Sequence, residues 1–301
     1  MTNQQHDRAM GAWMGLAVGD AVGTTIEFRA RDSYAPLTDM VGGGPFGLRP
    51  GEWTDDTSMA WALAASLAAN PDFDAADLMA RFVAWRDSGE YGSNGRCFDI
   101  GNTVGPALSS FVRSGDPFAG PTGEFTAGNG SLMRLSPVAL WGQGRGEGEV
   151  RRVAREQSRT THGAPACLDA CEAFAVMLLD AISGRSRDDV LRDAGRTRAE
   201  GDVGAILAGN WRGKERSAIR SSGYVGASLE ATLWCVERTD DFRSAVLLAA
   251  NLGEDADTTA AITGQLAGAL YGMSDIPDAW LAKLARREEL NAAGEALLNR
   301  L

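Results

Sequence analysis

Two short stretches concentrate hard oxygen donors where helices begin: Thr54-Asp55-Asp56-Thr57-Ser58 and Glu254-Asp255-Ala256-Asp257-Thr258-Thr259. The first precedes an apolar series through Met59, Ala60, Leu63 and Leu67. The second follows Gly253 and opens a series from Ala260 to Tyr271. Both read as helix N-termini. One acid suffices to cap a helix, because few orphan N–H groups await a partner there. Three acids and two hydroxyls within six residues exceed that need, and the same excess in two places suits Mg²⁺ or Mn²⁺. Asp55 and Asp56 project about 100° apart on a helix, so they can serve two cations, or one can bind while the other caps.

Other polar residues stand in settings with two readings each. Glu27 lies just past the first helix, where the dipole offers an acid nothing; it is either a solvated surface residue or a site group. Asp99, in Cys97-Phe98-Asp99-Ile100-Gly101-Asn102-Thr103, is a turn residue or a placed carboxylate. Gly128-Asn129-Gly130-Ser131-Leu132-Met133-Arg134 leads small residues toward a helix, a backbone recipe for binding phosphate, although Asn-Gly also makes tight turns. No Walker A lysine or strand-glycine-helix fingerprint accompanies it. His162 breaks the chain between two helices and either satisfies core groups or meets a ligand. Tyr224, preceded by Ser222-Gly223, is a core aromatic or a platform for a base.

The elements that must position these groups are helical almost throughout. Residues 7–22 carry Met10, Trp13, Met14, Ala17, Val18 and Ala21 at helical spacing. Gly11, Gly15, Gly19 and Gly23 recur every fourth position on that helix, leaving one face almost bare for another helix to approach. Each glycine costs about 1 kcal/mol against alanine, which tight packing must offset. Further helices are expected over 74–85, 104–112, 149–158, 166–182 and 185–198, through Leu229 to Trp234, and over 280–287 and 289–301. No run alternates as a strand does. The class is all-α, and without a linker or charge block the 301 residues are expected to form a compact single-domain helical bundle over 1–301.

The balance of 40 acidic to 29 basic residues, a net charge of -11, argues against nucleic acid or an anionic membrane as the partner. Cys97, Cys167, Cys171 and Cys235 form no CxxC pair, which favours reduced thiols over zinc. A polar start and the lack of any long apolar stretch predict a cytoplasmic protein with no membrane span.

Taken together, Gly15 to Ala21 with Glu27, Trp53 to Thr57, Phe98 to Asn102, Gly128 to Arg134, Thr161-His162, Ser222 to Tyr224 and Gly253 to Thr259 resemble the motifs of the ADP-ribosylglycohydrolase family, in family order. The resemblance is closer to its bacterial arginine-directed branch than to its serine-directed branch. It implies an all-helical domain with a cleft holding two divalent cations, Mg²⁺ or Mn²⁺, on Thr54, Asp55, Asp56, Asp255, Asp257 and Thr258. Glu254 and Thr259 would be first-turn residues only. Asn129, Gly130 and Ser131 would cradle a diphosphate, Asn102 would meet the substrate, His162 would lie near phosphate or ribose, and Tyr224 would face adenine.

Glu27 or Asp99 would move protons, with Asp99 favoured for an arginine linkage and the acid and base roles left open. The implied reaction is hydrolysis of ADP-ribosyl-arginine on a protein, with ADP-ribose as product. The alternatives are a relative acting on serine, nucleobase or free ADP-ribose conjugates, and a non-catalytic ADP-ribose-binding relative. A metal-dependent phosphohydrolase would differ by its product, phosphate or AMP.

Overall fold

The computed structural model describes residues 1–299 and contains fourteen α-helices among them, with two isolated β-bridges and no longer strand. The first seven are α1 (Asn3–Gly23), α2 (Asp55–Ala69), α3 (Ala75–Ser88), α4 (Val104–Ser114), α5 (Ser136–Trp141), α6 (Glu147–Arg159) and α7 (Pro165–Ser183). The rest are α8 (Arg187–Arg192), α9 (Gly201–Leu207), α10 (Val225–Glu237), α11 (Phe242–Ala250), α12 (Ala256–Tyr271), α13 (Asp278–Lys283) and α14 (Arg287–Leu298). The all-α class is borne out.

The glycine repeat of α1 explains the centre of the fold. A Cβ at Gly11, Gly15, Gly19 or Gly23 would overlap the carbonyl oxygens of Gly268, Gly264, Ala260 and Ala256 in turn. Gly264 and Gly268 return the same approach from α12 toward Gly15 and Gly11. The two helices therefore pack backbone to backbone, and α12 is buried along almost its whole length. Around this seam one continuous apolar core includes Trp13, Trp53, Phe82, Trp141, Phe174 and Phe242, all at most 2% exposed. Close approach here also fixes where the first turn of α12 lies against the end of α1, the segment that leads to Glu27.

Two expectations shift at their edges. The helix expected over 185–198 divides into α8 and a 3-10 turn, Asp193–Arg196. The helix expected over 280–287 stops at Lys283, because Ala285 donates its N–H to Gly51 and Arg286 takes a left-handed backbone with φ 48°. Short α9 is a helix that hydrophobic periodicity did not announce; its seven residues include Gly201 and Gly204. Residues 300 and 301, the tail of the helix expected over 289–301, lie outside the described residues. The four cysteines are free thiols, three of them buried. Among the described residues no helix is long and apolar enough to cross a membrane.

Candidate active site

The acids at the starts of α2 and α12 are not caps. Thr54 and Asp255 stand at the two N-cap positions, and neither side chain accepts a capping hydrogen bond. For α2 that work falls to Asp20, a residue of α1. The backbone N–H groups of Thr54 and Thr57 donate to its carboxylate at 2.9 and 3.0 Å, and their hydroxyls donate at 2.9 and 2.6 Å. Capping from another helix leaves Asp55 and Asp56 free for other duty.

Asp56, Asp257, Thr54 and Thr258 converge. The Thr54 hydroxyl lies 3.4 Å from Asp56 Oδ2 and 3.3 Å from Asp257 Oδ2, and the Thr258 hydroxyl lies 3.4 Å from Asp56 Oδ2. Glu27, Asp99 and Asp257 each bring an oxygen within 4.8 Å of the other two. Among the described residues, Asp56 Oδ1, Asp257 Oδ1 and Glu27 Oε2 are buried with no hydrogen-bond partner. Orphaned buried oxygens are costly and call for an explanation.

Burial together with neighbouring carboxylates drives Asp55, Asp56 and Asp257 well above the usual carboxylate range. Burial, then Asp257 and Asp99, pushes Glu27 up to about 12. Burial lifts Asp99 to about 6, with Asp20 and Asp255 adding to it. So many acids ionise together only against cations, and an all-oxygen set of carboxylates and hydroxyls is what hard divalent cations take. The residues fit a divalent metal, and Glu27 and Asp99 are placed to contribute as well as the helix-start acids.

From this closed end a cleft of about 800 Å³ opens past Asp99, Asn102, Gly128, Gly130, His162 and Tyr224. Its second end is built differently. Gly128 and Tyr224 form an isolated antiparallel bridge, and Asn129 N–H donates to Gly223 O at 3.0 Å. Among the described residues, the Gly130 and Ser131 N–H groups donate to no protein acceptor. Gly130 lies directly over the His162 ring, where an added Cβ would come within 2.7 Å of its Cε1. The His162 Nδ1 pairs with the Thr161 hydroxyl at 2.8 Å, and burial followed by the Arg134 charge pushes this imidazole down to about 3, so it is neutral. Tyr224 lines the cleft and its hydroxyl donates to Asp202 Oδ2 at 2.5 Å.

Three expected substrate residues are placed with particular consequences. The Asn129 carboxamide donates to Asp255 Oδ2 at 2.6 Å and to the Ser228 hydroxyl at 2.8 Å, so it orients an acid. Ser131 is wholly buried and absent from the cleft lining; its hydroxyl meets Ser158 and Cys171 in the core and its carbonyl accepts from the Gln157 amide. Asn102 is exposed on the cleft wall.

Sequence reasoning did not single out Asp20 as a site residue, although an acid inside an otherwise apolar helix was its signal. It also passed over Phe28 and Phe125, two cleft-lining aromatics that are 66% and 100% exposed.

Comparison with known proteins agrees with this architecture. A family model described as ADP-ribosylglycohydrolase matches residues 1–301. The ADP-ribosylarginine hydrolase Tri1 of Serratia proteamaculans is 46% identical over 293 residues, 97% of this chain and 79% of that protein. The ADP-ribosyl-(dinitrogen reductase) glycohydrolase of Rhodospirillum rubrum is 37% identical over 290 residues, covering 94% of this chain and 92% of the relative. A solved structure described as an ADP-ribosylglycohydrolase-related protein complex superimposes with a TM-score of 0.88 at 37% identity over 99% of both chains. With acids gathered at two helix starts, a cleft of nucleotide size and a match along its whole length, this chain belongs to the ADP-ribosylglycohydrolase family.

Proposed function

We propose that the protein hydrolyses the N-glycosidic bond of ADP-ribosyl-arginine on protein substrates, releasing ADP-ribose, and that residues 1–301 act as one domain in doing so. The observation that carries this reading is the convergence of acids that do no capping, three of them with orphaned buried oxygens, at the closed end of the cleft. Thr54, Asp55, Asp56, Asp255, Asp257 and Thr258 would hold two divalent cations, Mg²⁺ or Mn²⁺. When bound, these supply electrophilic charge toward the ribose hydroxyls and the attacking water.

The protein's own groups do the rest. The Gly130 N–H, on the cleft wall in the Asn129-Gly130-Ser131 loop, takes the diphosphate oxygens, with neutral His162 packed beneath the loop. Tyr224 offers a ring for the base, and Asn102 meets the ribose side of the substrate. Glu27 and Asp99 carry the proton transfers. Like charges this close keep one carboxyl of the pair protonated, so the pair holds an acid and a base at once. Water oxygen bonds to the anomeric carbon, the carbon–nitrogen bond breaks, one carboxylate accepts the water proton and the other carboxyl protonates the departing guanidine nitrogen.

Arginine is favoured over serine by charge. Glu27, Asp55, Asp56, Asp99, Asp255 and Asp257 are six carboxylates; two divalent cations and one shared proton leave net negative charge, suited to a cationic leaving group. Two relatives whose names specify arginine or dinitrogen reductase support the same choice. Free thiols fit a reducing compartment, and we place the protein in the cytoplasm.

The test is release of ADP-ribose from ADP-ribosyl-arginine and ADP-ribosyl-serine peptides, with Mg²⁺, Mn²⁺ or EDTA. Release from the arginine peptide that EDTA abolishes is expected. Release unaffected by EDTA, or confined to serine, would sink the reading.

A further inference from the structure

Phe28 follows Glu27 directly, and two features of it call for a cause. Its side chain is 66% exposed while lining the cleft. Its backbone is left-handed, φ 61°, a conformation that a bulky residue adopts only when its surroundings impose it. Here they do so openly: Phe28 N–H donates to Glu254 O at 2.7 Å, and Glu254 N–H donates back to Arg29 O at 2.7 Å. This reciprocal pair ties the ring to the strand of chain that enters Asp255 and Asp257, so Phe28 cannot leave the acid end of the cleft.

Phe28 also begins an aromatic row. Its ring meets Phe46 edge-on at 6.3 Å, and Phe46 meets Phe98 at 5.2 Å, one residue before Asp99. Of these three, Phe28 is the one that lines the cleft. The other exposed cleft aromatic, Phe125, sits in the turn Glu124–Thr126 that runs into Gly128 and its bridge to Tyr224. The cleft therefore has Phe125 and Tyr224 by its 128–130 loop and a separate aromatic, Phe28, beside Glu27 and Asp99. A base or phosphate has no reason to sit among carboxylates. A planar cation has two: the negative charge, and an aromatic ring left largely exposed on the cleft wall.

We infer that Phe28 is a specificity-determining residue for the leaving group, its ring face receiving the substrate guanidinium by cation–π contact beside Glu27 and Asp99. This rests on the arginine reading above. Exposed apolar rings on their own need no explanation; the inference stands on the pinned backbone, the cleft position and the charge around it.

The experiment is steady-state hydrolysis of ADP-ribosyl-arginine, with ADP-ribose inhibition measured alongside. Phe28→Leu keeps apolar bulk and removes the π face, and is expected to raise KM roughly three- to tenfold with the ADP-ribose inhibition constant unchanged. Phe28→Tyr, which keeps the face, should remain within about twofold of wild type. Phe28→Gly suits the left-handed backbone and removes the ring without endangering the fold; it should raise KM at least as much as leucine does. An unchanged KM in both the leucine and glycine variants would overturn the inference. So would an inhibition constant rising in step with KM, since the ring would then be touching ADP-ribose. If the wild type releases ADP-ribose only from another linkage, the function reading has failed and the inference falls with it, an outcome seen before any variant is made.

Discussion

The two ends of one cleft solve opposite problems. At the closed end Asp55, Asp56, Asp257 and Glu27 crowd anionic oxygens together until several have no partner. By the 128–130 loop the wall is mixed: a free backbone N–H on Gly130, a neutral imidazole at His162 and the Tyr224 ring, with Glu124 on the lining and Asp202 bound to the Tyr224 hydroxyl. A cavity with one kind of wall would bind in either direction. On the proposed reading this difference sets one orientation, with phosphates on the Gly130 side and the scissile bond among the acids.

The strongest blow to that contrast is Asp257→Ala. It removes an oxygen near Thr54 and a member of the Glu27–Asp99–Asp257 group. On the proposed reading turnover should fall roughly 10³-fold or more, because the electrophilic charge at the reaction centre would go with the cation Asp257 is proposed to hold. Melting curves should cross over as well. With Mn²⁺ at about a hundred times its dissociation constant, the wild type gains about 3 kcal/mol, and EDTA should lower its melting temperature by roughly 5 °C or more. The variant should lose little on chelation, since it has less metal to lose and less carboxylate repulsion to expose. A wild-type melting temperature indifferent to EDTA would remove cations from the account.

Asp20→Asn tests the support beneath that end. Four donors from Thr54 and Thr57 point at the Asp20 carboxylate, and an amide can satisfy only those on its oxygen side. Groups that orient ligands in this way cost about 10- to 100-fold in metal affinity or activity when changed. Calorimetric Mn²⁺ affinity and kcat should therefore fall together while ADP-ribose inhibition holds. A drop in melting temperature with unaltered metal affinity would make Asp20 only a cap.

Much of this was legible because acids at helix starts and glycines at every fourth residue are local signals with few uses. The seam of Gly11, Gly15, Gly19 and Gly23 was read as a close helix contact, and α12 is that contact. What stayed hidden depends on pairs distant in the chain. Asp20 acts on residues 34 and 37 positions away, and nothing in its own neighbourhood says which helix it caps. Asn129 looked like a phosphate contact, yet its carboxamide is committed to Asp255, 126 residues on. Phe28 owes its place to Glu254, and no periodicity in either stretch predicts that pairing.

The smallest expected effect tests the mixed wall. His162 is 2% exposed and is pushed down to about 3 by burial, with Arg134 adding to it. An unfolded histidine titrates near 6.5, so between about pH 3 and 6.5 the unfolded chain binds a proton that the native one refuses. The stabilising contribution is thus complete above about pH 6.5 and declines as pH falls through that window. Chemical denaturation of wild type and His162→Gln at pH 7 and pH 5 should show the wild type losing about 2 kcal/mol relative to the variant on acidification. The chain has only two histidines, so nuclear magnetic resonance can follow this ring directly against His6. Its ring protons should not move between pH 5 and 8, with or without ADP-ribose. A titration in that range would mean a cationic imidazole against the phosphates, and the contrast between an acidic wall and a mixed one would become one between opposite charges.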